Sequence, residues 1–505
     1  MRRAAGFHRD RIAIRSGGRE LTFGEAWERG LRLANGLAAL GIRPGDRVAV
    51  LEDNCLESSD FFLGVAAGNV VRVPLYRRNA RESHAHMLRQ TNCRALVVAR
   101  EYLHEVEGLE RELPELEHVI VRDEGYEDWL AGFPADDPDP QVGLDDLHLI
   151  RHSAGTTGKP KGIAFTHRSW MATERDWLVG LPPFAPGDVC QHAGPISHGS
   201  GYLFVPAFLH GATNLLEARF DARATLDTLA TEGGYFFAVP TMVADMCEAA
   251  RGRDLDLSKV KAIVISAAPI RRPTALAAHE VFGDTLYQLY GQTEAVPVVF
   301  MGPEEWFTEV EGSRPLDAAG RIMAFAEVEI RDEENRPVPN GTAGEIAVRC
   351  DGQMTGIWGD EEMSARRLVD GWVLTGDIGE VDDNGYLYVV DRKDDLIISG
   401  GFNIWPAELE SVIVELPGVR EVAVFGVPHE RWGETPMALV VVEEDHALDE
   451  DAVIAACTEK LGSYKKPAAV RFRVEPLPRS IVGKIQRKVL RAPYWDGSER
   501  LVGGA

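Results

Sequence analysis

The sequence predicts an α/β protein with a large N-terminal domain of α/β sheets, a small β subdomain within it, and a small α+β C-terminal domain. The first 150 residues alternate amphipathic helical patterns with short β-rich runs, which is typical of parallel sheets. Between about residues 311 and 390 the helical pattern fades, and strand-like runs are separated by Asn-Gly turns. A further set of helix and strand patterns follows Asp391.

The N-terminal elements begin with a helix. Thr22 and Glu25 have the spacing of a capping box, and Trp27, Leu31, Ala34 and Ala38 then fall on one helical face. Buried strands are predicted from the apolar runs at Val48–Leu51, Val70–Leu75, Ala95–Val98, Val119–Val121, Val260–Ile265 and Thr285–Tyr290. The β subdomain is predicted from Ala326–Arg331, Gly344–Arg349 and Tyr386–Val390, with turns at Asn340-Gly341 and Asn384-Gly385.

The C-terminal elements begin at Pro406, which suits the first position of a helix. Leu409, Val412, Ile413 and Leu416 follow at helical spacing, and Pro417-Gly418 ends the pattern. Strands at Val422–Val427, Met437–Val442 and Val470–Val474 and a helix at Asp449–Leu461 complete a compact unit. The predicted domains are therefore residues 1–391 and 392–505.

Composition and charge exclude several classes of protein. The 505 residues include 54 Lys and Arg against 79 Asp and Glu, a formal net charge of −25, which argues against a general binder of nucleic acid. The six cysteines form no Cys-x-x-Cys pair, so a disulfide framework or zinc knuckle is not expected. The sequence has no signal-peptide pattern and no apolar run long enough to span a bilayer, so we expect a soluble, cytoplasmic protein.

The strongest local motif is Ser153–Gly162, which directly follows the apolar run Leu147–Ile150. Glycines, hydroxyl side chains and two lysines in ten residues suit a loop that wraps phosphate oxygens with backbone N–H groups. It is not a Walker loop, because Pro160 stands where that motif requires glycine. A polar surface hairpin is the alternative interpretation of this motif taken alone.

Two other segments place polar side chains where α/β proteins bind ligands. Thr293 and Glu294 follow a predicted strand, so they are expected at the carboxyl edge of a sheet. A carboxylate beside nucleotide phosphates is a usual environment for Mg²⁺. Asp377, which follows Val373-Leu374, is likewise predicted to lie at a strand end. The alternative interpretation of Glu294 is that it is a solvated loop residue without a ligand. The alternative interpretation of Arg392 is that it forms a surface ion pair with Asp391 or Asp394.

Taken in order, these motifs resemble those of the adenylate-forming superfamily, which includes acyl-CoA synthetases, firefly-type luciferases and peptide-synthetase adenylation domains. The resemblance covers roughly residues 20 to 490 and rests on the phosphate loop together with Tyr290-Gly291-Gln292-Thr293-Glu294, Thr375-Gly376-Asp377, Asp391-Arg392-Lys393-Asp394, Ser399-Gly400-Gly401-Phe402-Asn403-Ile404 and Gly483-Lys484-Ile485-Gln486-Arg487. It implies that the C-terminal domain is a mobile lid.

The resemblance assigns candidate site residues. Lys484, Glu294 and Thr293 are the candidate catalytic residues, with Lys484 between the acid and the α-phosphate, and Glu294 and Thr156 near Mg²⁺. The nucleotide site is expected to comprise Ser153, Gly155, Thr156, Thr157, Gly158, Lys161, Ser266, Ala267, Tyr290, Gly291, Gln292, Thr293, Asp377 and Arg392. Asp377 would accept from the ribose hydroxyls, a task that suits an ionised carboxylate.

The resemblance also locates the acyl pocket and the route for the thiol. The pocket is expected to include His198, Gly199, Ala267, Ala268 and Pro269, and the small residues there suggest room for a bulky acid. Asp394 is the candidate hinge, and Gly400, Gly401 and Trp405 are expected along the CoA tunnel, where a narrow pantetheine arm needs backbone without side chains. Ile196-Ser197-His198 offers no acidic partner for an ammonium group, which counts against an amino-acid substrate.

These expectations define an ATP-dependent acyl-CoA synthetase that uses ATP, Mg²⁺ and CoA. It would activate a carboxylic acid through an acyl-AMP intermediate. The acid is expected to be bulky and hydrophobic, and alicyclic, aromatic or fatty acids all fit. Two departures from the family pattern, Ala154 and Trp405, leave open a half-reaction specialist that mainly forms the thioester from acyl-AMP, or an acyl-AMP ligase that loads a carrier protein. An inactive nucleotide-binding regulator is the third alternative. No nucleic-acid partner is expected, and a homodimer is compatible with the sequence.

Overall fold

The computed structural model describes residues 1–153, 160–399, 402–443, 448–479 and 485–495. The chain forms two compact units, which we treat separately. The first comprises residues 1–328 and 348–373, and the second comprises residues 329–347 and 374–505. These units are not the predicted domains 1–391 and 392–505. The predicted boundary near residue 391 is the point about which a lid would rotate. A division into compact units does not test such a rotation, so the boundary stays a prediction.

The helices of the first unit are α1 (Arg2–Phe7), α2 (Phe23–Ala39), α3 (Ser58–Ala67), α4 (Arg81–Thr91), α5 (Leu109–Glu112), α6 (Tyr126–Ala131), α7 (His167–Gly180), α8 (Phe204–Leu209), α9 (Ala222–Glu232), α10 (Pro240–Ala250), α11 (Arg272–Phe282), α12 (Pro303–Trp306) and α13 (Glu361–Arg367). The capping box that begins α2 is confirmed, because Thr22 and Glu25 bond each other's backbone N–H groups. It satisfies donors that the first helical turn leaves free.

A seven-stranded sheet forms one half of the first unit, in the order β18-β8-β7-β4-β3-β5-β6. Its strands are β3 (Arg47–Leu51), β4 (Val71–Pro74), β5 (Ala95–Ala99), β6 (His118–Arg122), β7 (Leu147–Ser153), β8 (Lys161–Thr166) and β18 (Gly356–Ile357). The central strands pair in parallel, as the alternation of helices and strands predicted. Strand β8 returns antiparallel to β7, and β18 adds an antiparallel edge.

The second sheet of the first unit runs in the order β15-β14-β13-β12-β11-β9-β10-β1-β2. Its strands are β1 (Ile12–Ser16), β2 (Arg19–Thr22), β9 (Val189–His192), β10 (Thr213–Leu216), β11 (Gly234–Ala238), β12 (Val260–Ile265), β13 (Leu286–Gln292), β14 (Ala295–Met301) and β15 (Gly320–Ile322). The strands from β1 through β10, β9, β11 and β12 to β13 are parallel, so their carboxyl ends share one edge. The short β19 (Leu368–Val369) pairs with the first two residues of β20 (Trp372–Val381).

The strands β16 (Ala326–Arg331), β17 (Gly344–Cys350) and β20 (Trp372–Val381) contain the points where the chain passes from one unit to the other. The second unit also contains β21 (Tyr386–Arg392), β22 (Ile397–Ser399), β23 (Phe402–Ile404), β24 (Val419–His429), β25 (Gly433–Val442), β26 (Ala469–Arg473), α14 (Pro406–Ile413), α15 (Glu450–Leu461) and α16 (Arg487–Arg491). Its C-terminal part is a five-stranded sheet of β22 to β26.

The predicted C-terminal elements are confirmed, with two differences of extent. Pro406 is the first residue of α14, but the helix ends at Ile413 and does not reach Leu416. The strands β24 and β25 form a longer hairpin than the apolar runs predicted. Their pairing extends beyond the apolar residues to a last pair between His429 and Gly433. In the described part of the chain, no helix combines the length and the apolar character required to cross a membrane.

Candidate functional site

The predicted phosphate loop joins two strands of the seven-stranded sheet. Ser153 is the last residue of β7, Lys161 is the first of β8, and the two are paired in register. The Nζ of Lys161 lies 3.6 Å from the Sδ of Met363 in α13. Gly155, Thr156, Thr157 and Gly158 lie outside the described residues, so the structure locates the two ends of the motif and leaves its interior as a prediction.

The nucleotide-site candidates of the second sheet lie on neighbouring strand ends. Ser266 and Ala267 directly follow β12, and Tyr290 to Gln292 end the neighbouring parallel strand β13. Ala267 has a φ of 74°, in the left-handed region that non-glycine residues seldom adopt. Such strained positions concentrate at functional sites. Ala268 and Pro269 are exposed beside it.

Thr293 and Glu294 form the two-residue turn of the β13–β14 hairpin, which confirms their predicted place at a strand end. Gly291 is required there, because a Cβ atom would lie 2.7 Å from the backbone oxygen of Ala295. The backbone oxygen of Glu294 accepts a hydrogen bond of 2.7 Å from the N–H of Met354. The conformation of the hairpin turn is therefore stabilised by the close approach at Gly291 and by the hydrogen bond from Met354.

Arg367, at the end of α13, is a neighbour of Glu294 that the sequence patterns did not single out. Its Nη2 lies 3.5 Å from Glu294 Oε1 and 3.3 Å from Gln292 Oε1. The Glu294 carboxylate is largely buried and belongs to no cluster of three or more His, Cys, Asp or Glu able to hold a metal within the described ranges. Mg²⁺ usually needs only one or two carboxylates when nucleotide phosphates supply further ligands, so Glu294 fits that role.

The predicted acyl segment surrounds His198 with aromatic and polar contacts. The imidazole packs edge-on against Tyr76 at 4.7 Å, and its Nδ1 lies 2.9 Å from Ser197 Oγ. Burial lowers the pKa of His198 to about 3, so the ring is neutral at physiological pH. His192, the other histidine of this region, is buried and bonds Ser200 Oγ and Asn214 Oδ1 at 2.8 Å each.

Close packing explains the glycines of this segment better than a roomy pocket does. A Cβ atom at Gly199 would lie 2.6 Å from the ring of Phe237, and one at Gly201 would lie 1.8 Å from the backbone oxygen of Ile196. The predicted link between small residues here and a bulky acid is therefore not supported by these two positions.

Gly201→Ala is expected to destabilise the protein by at least about 2 kcal/mol, because the new methyl group would displace backbone. Urea unfolding monitored by circular dichroism measures the change. Gly6→Ala is the matched control, since its Cβ would meet nothing within 4 Å. Equal stability of the two variants would contradict the packing argument.

An aromatic stack lies behind the acyl segment, and sequence patterns missed it. Tyr202 lies between Trp170 and Trp177 at centroid distances of 5.4 and 5.2 Å, with nearly parallel rings. The two tryptophans are seven residues apart on α7, a spacing that places them on one helical face and could have indicated a shared role. Trp177 also contacts Phe237, so the stack extends toward Gly199.

Glu174, on the same helix, is a buried carboxyl that sequence patterns also missed. Its carboxyl oxygens are buried and lack a hydrogen bond of good geometry among the described residues, with the indole of Trp170 as a nearby donor. Burial raises the pKa of Glu174 to about 8, against the opposing effect of the guanidinium group of Arg72. The carboxyl group is therefore mostly protonated at neutral pH.

This shift predicts a stability that falls with rising pH. The unfolded carboxyl ionises near its ordinary pKa of 4.5 and the folded one near 8, so between these values deprotonation favours the unfolded chain. The free energy of unfolding is expected to fall by up to about 1.4 kcal/mol per pH unit. Glu174→Gln should remove this dependence, which unfolding at pH 5 and pH 8 measures. An unchanged slope in the variant would contradict the assignment.

The second unit contains the candidates for ribose binding. Asp377 lies within β20 and not at a strand end as predicted, because β20 continues to Val381 and pairs with β21. Its carboxylate is buried and bonds the Nε of Arg392 at 2.7 Å. Asp377 and Arg392 are opposite each other in the register, so Arg392 pairs with a carboxylate that the alternative interpretation, a surface ion pair with Asp391 or Asp394, did not name.

The segment around the candidate hinge is held by ion pairs within the second unit. Asp391 accepts hydrogen bonds from the backbone N–H groups of Arg392 and Ala407, and burial raises its pKa to about 6. Arg487 is largely buried and binds the carboxylates of Glu410 at 2.6 Å and Asp395 at 3.3 Å.

Several of the remaining candidate residues of the lid lie outside the described part of the chain. Asp394 belongs to a short 3₁₀ turn, Lys393–Asp395, but its side chain, like Gly400, Gly401 and Lys484, lies outside the described residues. Trp405 is half-buried and directly precedes α14. Their roles as hinge, tunnel and catalytic lysine stay predictions.

The chain matches two protein-family models and is similar to curated proteins over most of its length. The model of a family described as "AMP-binding enzyme" matches residues 1–358, and that of the "AMP-binding enzyme C-terminal domain" matches residues 408–484. A feruloyl-CoA synthase of Amycolatopsis sp. is 36% identical over 95% of this chain and 96% of its own. A long-chain-fatty-acid–CoA ligase of Mycobacterium tuberculosis is 31% identical over 92% of this chain and 91% of its own.

Solved structures show the same fold. ATP-bound MatB from Rhodopseudomonas palustris superposes with a TM-score of 0.88 at 27% identity, covering 97% of both chains. CoA ligases of this family use ATP and CoA. The two family matches and the relatives over nearly the whole chain establish that this protein belongs to the AMP-binding, adenylate-forming enzymes and is an AMP-forming acid–thiol ligase.

Proposed function

We propose that this protein is an ATP- and Mg²⁺-dependent acyl-CoA synthetase that activates a largely hydrophobic carboxylic acid. The observation that carries the proposal is the adjacency of two neighbouring strand ends. The end of β12 supplies Ser266 and the strained Ala267, and the end of β13 supplies the Thr293–Glu294 turn. Side chains at the carboxyl edge of parallel strands converge on one ligand site.

The first half-reaction is an attack of the substrate carboxylate on the α-phosphorus of ATP, which releases pyrophosphate. Thr293 would donate a hydrogen bond from its hydroxyl group to an α-phosphate oxygen, and Lys161 and the loop that begins after Ser153 would bind the outer phosphates. Glu294 would hold Mg²⁺ together with the nucleotide phosphates, and the charge of the ion would offset the repulsion between those phosphates and the incoming carboxylate. Lys484 would bridge the two reacting anions.

In the second half-reaction the CoA thiolate attacks the acyl carbonyl carbon, and AMP leaves with the electron pair of the broken C–O bond. The neutral His198 beside Ser197 would line the acyl pocket without adding a charge to it. Asp377 and Arg392 would bind the ribose of the nucleotide, since an ionised carboxylate accepts well from hydroxyl groups.

A panel of carboxylic acids tests the proposal. Pyrophosphate release should depend on ATP and on one class of acid. Thioester formation, measured by mass spectrometry, should depend on CoA as well. Pyrophosphate release without a CoA thioester would instead support an acyl-AMP ligase that loads a carrier protein. ATP binding without turnover of any acid would support a nucleotide-binding regulator and overturn the proposal.

Glu294→Gln tests the metal assignment. Removing the negative charge is expected to raise the Mg²⁺ concentration needed for half-maximal pyrophosphate release by at least about tenfold, since charge-assisted contacts contribute roughly 1.5–3 kcal/mol. Glu304→Gln, a change on α12 outside the candidate site, is the control. Identical Mg²⁺ dependence in both variants would remove Glu294 from the metal site.

A further inference from the structure

Two arginines lie side by side within the first unit, on the face of the seven-stranded sheet next to the acyl segment. Arg72 of β4 is paired in register with Leu149 of β7, so Arg151, two residues further along β7, projects from the same face diagonally opposite Arg72. Each residue is only 3% exposed. Arginine is seldom buried so completely without a partner.

Aromatic rings lie close to both guanidinium groups. The Cζ of Arg72 lies 4.0 Å from the ring centre of Phe62, and that of Arg151 lies 4.5 Å from that of Tyr202 and 5.1 Å from that of Trp170. These cation–π contacts stabilise the cations. They do not satisfy the N–H groups at the guanidinium edges, which still need hydrogen-bond acceptors.

The edges have unmet donors. The Nε and Nη1 of Arg72 and the Nε and Nη2 of Arg151 are buried without a hydrogen-bond partner among the described residues. Glu174 faces both arginines but is mostly protonated at neutral pH, so it does not balance their charge. Unpaired buried charge costs several kcal/mol, and buried polar groups are normally satisfied by protein, water or a ligand.

This cluster adjoins the candidate acyl pocket. A cavity with room for about one water molecule is lined by residues that include Arg72, Phe62, Ser197 and Glu52, and the Glu52 carboxylate pairs with Arg122. Ser197 precedes His198, and the charges of both arginines contribute after burial to the low pKa of His198. Tyr202, whose ring covers Arg151, belongs to the aromatic stack behind the same segment.

We propose that Arg72 and Arg151 bind a second carboxylate at the end of the substrate remote from its reacting carboxyl group, so that the preferred substrates are dicarboxylic acids with an apolar body. A planar carboxylate can accept two parallel hydrogen bonds from one guanidinium edge, and the unmet Nε and Nη2 of Arg151 share such an edge. The unmet Nε and Nη1 of Arg72 lie on different edges, so Arg72 would donate a single hydrogen bond to the same carboxylate. The protonated Glu174 adds an O–H donor to the same site. The inference rests on the proposed function, and the apolar body of the acid would contact the aromatic stack.

Matched pairs of acids test the inference. Octanoate and suberate, and cinnamate and 4-carboxycinnamate, differ only in the second carboxylate. We expect kcat/KM for pyrophosphate release to favour the diacid by at least about tenfold in one pair, because a buried polar site discriminates strongly against an analogue that leaves it unpaired. Turnover of a monoacid with no preference for any diacid would overturn this inference and leave the proposed function intact.

Variants locate the preference. Arg72→Met and Arg151→Met should each lower the diacid-to-monoacid ratio of kcat/KM by at least about tenfold, and Arg72→Lys should restore part of it. Arg168→Met, an exposed arginine of α7 that pairs with Asp145, is the control. An ATP-induced shift of the melting temperature shows that a variant is folded. A diacid preference that survives in folded Arg72→Met and Arg151→Met would assign the unmet donors to buried water and overturn the inference.

Discussion

Replacement of Lys484 with Ala is expected to lower acid-dependent pyrophosphate release by about 10²–10³-fold. A single cation between two approaching anions cancels repulsion that grows toward the transition state, and loss of one such group costs about 3–4 kcal/mol of barrier. Thioester formation from a supplied acyl-adenylate should be largely spared, because the adenylyl transfer has then already taken place. The two half-reactions are measured separately, by pyrophosphate release and by thioester mass spectrometry.

Lys466→Ala provides the matched control, since Lys466 is an exposed lysine of the same C-terminal region. Equal losses in both half-reactions of the Lys484 variant would show that the lysine acts on folding or on nucleotide binding in general. Normal adenylation in that variant would remove Lys484 from the catalytic residues.

Arg487→Met is expected to destabilise the second unit by about 3 kcal/mol. The substitution leaves the largely buried carboxylates of Glu410 and Asp395 without their cation, and breaking one partner of a buried ion pair typically costs 3–5 kcal/mol. It also removes the positive charge that opposes the raised pKa of Asp391. Urea unfolding and the rate of limited proteolysis within residues 374–495 measure the effect.

Arg473→Met is the control for this experiment. Arg473 lies 3.7 Å from Glu475, whose side chain is 76% exposed, and exposed pairs contribute only about 0–1 kcal/mol. Similar stability losses in the two variants would mean that the network around Arg487 is no more important than a surface ion pair.

The sequence was sufficient for the elements that depend on local chemistry. The capping box at Thr22, the strand Val260–Ile265 and the Pro406 helix start are each specified by neighbouring residues, and the structure contains them. The hairpin turn at Thr293–Glu294 was predictable for the same reason, because a strand pattern ends where the polar pair begins.

Features that depend on tertiary pairing could not be predicted this way. Asp377 is interior to β20 because β21 extends alongside it, and no local pattern records that pairing. The contact of Arg367 with Glu294 joins residues 73 positions apart. Arg72 and Arg151 come from separate strands, so their juxtaposition is visible only once the order of the sheet is known.

The late strand β18 has a consequence for synthesis of the protein. Gly356 and Ile357 pair with Ala164 and Ile163, so an edge of the seven-stranded sheet is completed only when the ribosome has added nearly 200 further residues. At about 5–20 residues per second this leaves β8 uncovered for roughly 10–40 s. An unpaired apolar strand edge is prone to associate with other chains during such an interval. Heterologous production should therefore be sensitive to translation rate and to chaperone supply.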